Sequence, residues 1–219
     1  MKKIVNRCGR YLALLLAGSA LAAAGFAQSD SKPELPELMD REKEIEMALS
    51  AAPEHLRKEA AVYVLQRGGY VKAREGSNGF TCLVEREGVK GASPLCFDKE
   101  GSETTLLMVF RKSQLIEQGK EQKEVERAID EEYRTGKLLA PRKQGVAYML
   151  STEFKTHDHK SGKMVTVFPP HVMFYAPYLK NSDIGARPEH RGSVSQPWIL
   201  NEGKPYAYII VVPKEKQFD

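Results

Sequence analysis

The sequence is poor in the residues and patterns that most often announce a chemistry. It has one tryptophan, three cysteines and five histidines in 219 residues. No G-x-S-x-G elbow, Gly-rich phosphate loop or H-E-x-x-H pair occurs, which removes the common signatures of serine hydrolases, nucleotide binders and zinc peptidases. Adjacent acids such as Glu131 and Glu132 fall on an expected helix surface, where they do not face each other across a substrate. No apolar run approaches the ~20 residues that a membrane-spanning helix needs. A surplus of one charge is missing too. Lys2, Lys3, Arg7 and Arg10 lie in the first 27 residues, which hold no acid, so the nominal +4 reduces to 29 cations against 29 anions beyond them. A neutral body excludes the cationic surface that nucleic acids and anionic membranes require.

What the N-terminus does have is the form of a secretory signal. A basic segment, residues 1–10, precedes the 14-residue apolar stretch YLALLLAGSALAAA, Tyr11 to Ala24, and small residues follow it. The expectation is a signal peptide, residues 1–27, cleaved after Ala27, rather than an uncleaved anchor. Cys8 precedes the apolar run and so is not a lipidation site of the kind that follows one. The expected product is an exported protein of 192 residues in the periplasm or outside the cell, with no membrane span after cleavage. Residues 28–36 (QSDSKPELP) read as a disordered spacer, and 37–219 as a single α+β domain long enough to bury one core.

Export to an oxidising compartment makes the remaining cysteines, Cys82 and Cys96, an expected disulfide. Closing the ~15-residue loop between them is worth about 3 kcal/mol in the chain-entropy account.

Periodicity outlines the rest. A solvated helix is expected over Glu37 to Leu49. A second, starting at Pro53, follows from Leu56, Ala60 and Val64 with Ala61 and Leu65, and ends at Gly68 and Gly69. Tyr70 to Arg74 and Phe80 to Glu85, flanking Asn78-Gly79, predict a β-hairpin, with Phe80, Cys82 and Val84 on one strand face. Thr104 to Phe110 (TTLLMVF) fits a buried helix or strand; the helix reading continues to Gln118 and stops at Gly119. Val125, Ala128, Ile129 and Tyr133 mark an amphipathic helix from Lys120 to Thr135, with Gly136 after its end. Its charged face reads as solvated surface, with a partner surface as the alternative. The β-rich segments come later: Val146 to Leu150, Met164 to Phe168 as a peripheral strand, Val172 to Ala176, and Tyr206 to Val212. Helices first and strands later predict N-terminal helices packed on a mostly antiparallel sheet. Asn181 to Lys204 is a long polar connection around Trp198.

With these segments placed, NGFTCLVER (Asn78 to Arg86), GVAYML (Gly145 to Leu150), FPPHVMFYAP (Phe168 to Pro177) and PYAYIIVV (Pro205 to Val212) resemble a family of exported bacterial proteins of unknown function, over about His55 to Pro213. The resemblance implies no reaction, ligand or cofactor for these residues.

Three constellations carry candidate chemistry. Cys82 as nucleophile with His171 as base resembles papain-like peptidases in residue type. Against it, Cys82 lies within an expected strand and not at a helix N-terminus, with a second cysteine nearby. His157, Asp158 and His159, with His171 and His190 further on, offer a metal-binding alternative, although THDHKSGK also reads as an exposed turn. Pro169, Pro170, His171, Tyr175 and Tyr178, with Trp198 covering them, form a candidate ligand groove; the same residues also read as a core strand punctuated by proline. The sequence therefore points to a non-catalytic envelope protein that binds a ligand or partner through His171, Tyr175, Tyr178 and Trp198, with no cofactor and no nucleic acid.

Overall fold

The computed structural model describes residues 34–86, 91–157, 163–166 and 168–213. The expected signal segment and residues 28–33 lie outside the described residues.

Asp40 caps the first helix, α1 (Arg41–Ser50), by accepting 3.1 Å hydrogen bonds from the backbone N–H groups of Glu42 and Lys43. A single turn, α2 (Glu54–Arg57), follows. The long helix expected here does not form. Ala61–Gln66 is instead strand β1, and Gly69–Arg74 is β2, joined to it antiparallel through Gly68 and Gly69, both at positive φ. Residues spaced by four satisfy the strand period of two as well as the helical one. The β-branched Val62 and Val64 then share one buried face of a strand.

The expected hairpin around Asn78-Gly79 is also replaced. Strands β3 (Thr81–Glu85) and β2 are not neighbours, because β1 lies between them and pairs parallel with β3. The connection crosses the start of β1 so closely that a Cβ on Gly76 would sit 2.1 Å from the Ala61 nitrogen. Asn78 shapes the turn, accepting from Phe80 N at 3.0 Å and donating to the Leu56 carbonyl at 2.9 Å.

β4 (Ser93–Phe97) returns antiparallel to β3 and leads into the short helix α3 (Lys99–Glu103). The ambiguous TTLLMVF segment is helical, within α4 (Thr105–Glu117). α5 (Gln122–Arg134) follows the expected amphipathic pattern. Gly119 and Gly136 take positive φ just past their ends, as expected of residues that stop a helix. Then come β5 (Val146–Met149), a separate ribbon of β6 (Lys155–His157) and β7 (Met164–Thr166), β8 (His171–Tyr175), 3-10 turns at Asn181–Ile184 and Pro188–His190, β9 (Trp198–Leu200) and β10 (Tyr208–Val211).

The main sheet runs β2-β1-β3-β4-β5-β8-β10-β9 and is antiparallel except at β1/β3. The protein is therefore α+β, with a mostly antiparallel sheet. The apolar segments of β5 and β10 are internal strands. Strand β1 arises where a helix was expected, ahead of strands β2 and β3, which lie where the sequence placed strands. The sheet carries an apolar core on each side. On one, α1 and the two residues after it place Met47, Ala48, Ala51 and Ala52 over Val62, Val84 and the two cysteines; on the other, α4 and α5 pack Val109, Leu115, Val125 and Ile129 on the opposite face. No helix among the described residues is long and apolar enough to cross a membrane.

Cys82 and Cys96 face each other across β3 and β4 with Cα atoms 4.0 Å apart, and they form a disulfide. Both are fully buried in the cluster that holds Ala48 of α1 and Ala51 and Ala52 just after it.

Candidate ligand-binding cleft

The face of the sheet toward α4 is built in rows, because strand residues two apart point the same way. On β8 these are His171, Met173 and Tyr175, all buried. Pairing places His171 beside Met149 of β5, Met173 beside Ala147 and Ile210, and Ile210 beside Trp198 of β9. Tyr175 pairs with Tyr208.

The Tyr175 end is closed. Its hydroxyl donates to Asp98 Oδ1 at 3.0 Å, and the same carboxylate accepts from the backbone N–H groups of Gly101 (2.9 Å) and Val146 (2.8 Å). Burial, then the neighbouring Tyr208 and Asp98, hold the Tyr175 phenol well above its usual range. A Cβ on Gly101 would meet the Tyr175 oxygen at 1.9 Å, and one on Gly145 would meet Asp98 at 2.3 Å. Tyr175 is thus a satisfied core residue, as the core-strand reading has it, and is not among the residues that line the cleft at the His171 end.

The His171 end is open. A cleft of about 510 Å³ lies over Met149, His171, Met173, Ile210 and Trp198, bounded by Met108 and Val109 of α4 and by Phe154 and Phe168. Phe168 stands edge-on between the two predicted residues, with ring centroids 5.0 Å from His171 and 6.0 Å from Trp198. His171 is 4% exposed. Its Nδ1 lies 2.9 Å from the Pro169 carbonyl, which places the proton on Nδ1 and leaves Nε2 as an acceptor. Desolvation lowers its pKa, opposed by that hydrogen bond, so the ring is held neutral. Trp198 is 8% exposed and Ser93 2%. Among the described residues neither Trp198 Nε1 nor Ser93 Oγ has a hydrogen-bond partner, and both side chains line the cleft. Buried polar atoms are paired in the great majority of cases. Two of the unpartnered buried polar atoms among the described residues thus lie in this one cleft.

Of the four predicted groove residues the fold brings together His171 and Trp198 and separates the other two. Tyr178 is 63% exposed at positive φ, outside the cleft lining. Phe154, Phe168, Met173 and Ser93 were not singled out beforehand. Only Phe168, standing before Pro169-Pro170-His171, carried a local signal.

The Cys82–His171 hydrolase is overturned. Cys82 is bonded to Cys96 beneath α1, while His171 faces the opposite side of the sheet. Of the metal-binding candidates, Asp158 and His159 lie outside the described residues. His190 accepts the Arg187 N–H through Nδ1 at 3.1 Å, and His171 is engaged by Pro169. Among the described residues no three His, Cys, Asp or Glu side chains cluster to hold an ion.

The fold and the cleft define an α+β protein with an apolar, partly enclosed cavity beside its last strands. Comparison of the chain with protein-family models, with curated proteins and with solved structures gives no match.

Proposed function

We propose that the mature chain is an exported, non-catalytic binding protein that holds a small apolar ligand in the cleft between α4, Phe168 and β8–β10. The observation that carries this reading is the pair of buried, unpartnered polar atoms, Trp198 Nε1 and Ser93 Oγ, within a cavity of ligand size whose floor is apolar and whose charged residues, Glu85, Lys112 and Arg191, are few. A neutral His171 beside them adds an acceptor without adding charge. Export is supported by the basic and apolar segments of residues 1–27 and by the buried disulfide.

The test of binding uses the single tryptophan. N-phenyl-1-naphthylamine, a neutral apolar fluorophore, is titrated into the purified protein with its disulfide intact. The expected result is saturable binding at one site per chain with energy transfer from Trp198. Weakening by Leu200→Phe, which narrows the cleft from the edge strand, is expected with it. Binding that never saturates, or that Leu200→Phe leaves unchanged, contradicts the proposal. Export is read separately by mass spectrometry of the protein secreted with its leader: a chain starting at Gln28 agrees, and one retaining residues 1–27 does not.

A further inference from the structure

The cleft does not end within the core. Lys112, Arg191, Leu200, Asn201 and Tyr206 line both it and a second, charged groove of about 1130 Å³ between α5 and the connection that carries both 3-10 turns. A molecule lying along the apolar floor therefore emerges into a polar channel whose charge is uneven. The acids there are mostly engaged. Asp130 accepts from Lys204 Nζ at 2.5 Å, and Glu202 accepts from the backbone and side-chain N–H groups of Asn181 at 2.9 and 3.0 Å. Glu126 accepts from Gln122 at 2.8 Å. Of the cations, Lys112 is paired with Glu85 at 2.9 Å on the cleft rim. Arg191 stands at the junction of the two cavities, is exposed, and makes no side-chain hydrogen bond or ion pair among the described residues, although, behind the Asn181 hydrogen bonds, its charge is one of those that hold the Glu202 carboxyl below the usual carboxylate range. A guanidinium in that position offers two parallel donors to a planar anion.

We infer that the ligand is a monomeric amphiphile with an anionic head: its alkyl chain lies on Met173, Ile210 and Trp198, and its carboxylate meets Arg191 where the cleft opens. This rests on the reading of the cleft as a ligand site and adds the ligand's polarity and direction. The apolar floor selects the tail without regard to charge. The junction selects the head.

The experiment compares three probes of one chain length, dodecanoate, 1-dodecanol and dodecyltrimethylammonium, each below its aggregation threshold, by Trp198 fluorescence on the wild-type protein and on Arg191→Gln. Dodecanoate is expected to bind about tenfold more tightly than the alcohol or the ammonium, as one charge-assisted contact implies. Arg191→Gln is expected to close that gap, and rising salt to weaken dodecanoate alone. Equal affinity for carboxylate and alcohol, or a preference that survives Arg191→Gln, overturns the anionic head while saturable naphthylamine binding leaves the cleft reading standing. Cosedimentation of the protein with phosphatidylglycerol vesicles in place of monomer binding also overturns the inference, since it moves the anion to a membrane lipid. Failure of all three probes and of the naphthylamine removes the cleft reading itself.

Discussion

The two ends of one sheet face, only a few residues apart along β8, treat their polar groups in opposite ways. At the Tyr175 end a phenol, a carboxylate and two backbone N–H groups satisfy one another under α3, with Gly101 and Gly145 leaving no room for so much as a methyl group. At the His171 end an indole N–H and a serine hydroxyl are buried without partners beside a cavity of about 510 Å³. Leaving such groups unpaired costs stability, typically about 1–3 kcal/mol per group. Under the proposed function the unpaired groups at the His171 end are the ones a ligand would meet, while the Tyr175–Asp98 groups are already paired within the chain. On that proposal the difference separates stability from function along a single strand.

The sharpest way to break the comparison is to disturb the closed end. Gly101→Ala drives its Cβ into Tyr175 and is expected to destabilise by about 3 kcal/mol or more, measured by urea unfolding. A small loss there means that the Tyr175 end is not tightly packed. Removing the disulfide with Cys82→Ala and Cys96→Ala is expected to cost about 3 kcal/mol. Because the bond lies on the other face of the sheet, naphthylamine affinity should stay within about twofold when measured where the variant is still folded. A large loss of affinity would tie the two faces together. Tyr175→Phe deletes one donor to Asp98 and is expected to cost about 2 kcal/mol, with no effect on binding.

The smallest expected effect is a pH dependence at the open end. Burial lowers the His171 pKa in the folded state below its unfolded value near 6.5. In the window beneath about 6.5 the unfolded chain therefore takes up the proton first, and stability falls as pH falls toward the folded value. His171→Gln is expected to flatten this part of the profile, and an unchanged slope between about pH 7.5 and 5.5 would show that His171 is not buried neutral.

Local pattern carried the late helices well, because α4 and α5 each end at a glycine with positive φ and α5 presents an apolar stripe opposite a charged one. It failed at β1, where Ala60, Val64 and the residues between them satisfy the periods of helix and strand alike; pairing with β2 and β3, remote in sequence from Pro53, decides between them. The site was legible by face but not by row. His171 and Tyr175 were both flagged, and they do share one side of β8. What distinguishes them is α3 resting on Tyr175 while Phe154 and Phe168 only flank His171, a tertiary difference with no trace in FPPHVMFYAP. Trp198 stood out through rarity alone, and its place on an edge strand, in a stretch read as loop, came from pairing with β10.

The contrast between the ends is tested most directly by one paired measurement on Trp198→Phe: unfolding free energy of the free protein and its affinity for N-phenyl-1-naphthylamine. Since the substitution removes a buried donor that has no partner, a gain that offsets the packing lost with the smaller ring, stability is expected to stay within about 1 kcal/mol. The lost ring area is expected to weaken the fluorophore about fivefold. A stability loss near that of Tyr175→Phe with affinity unchanged would contradict the account, because it would make Trp198 one more satisfied core residue.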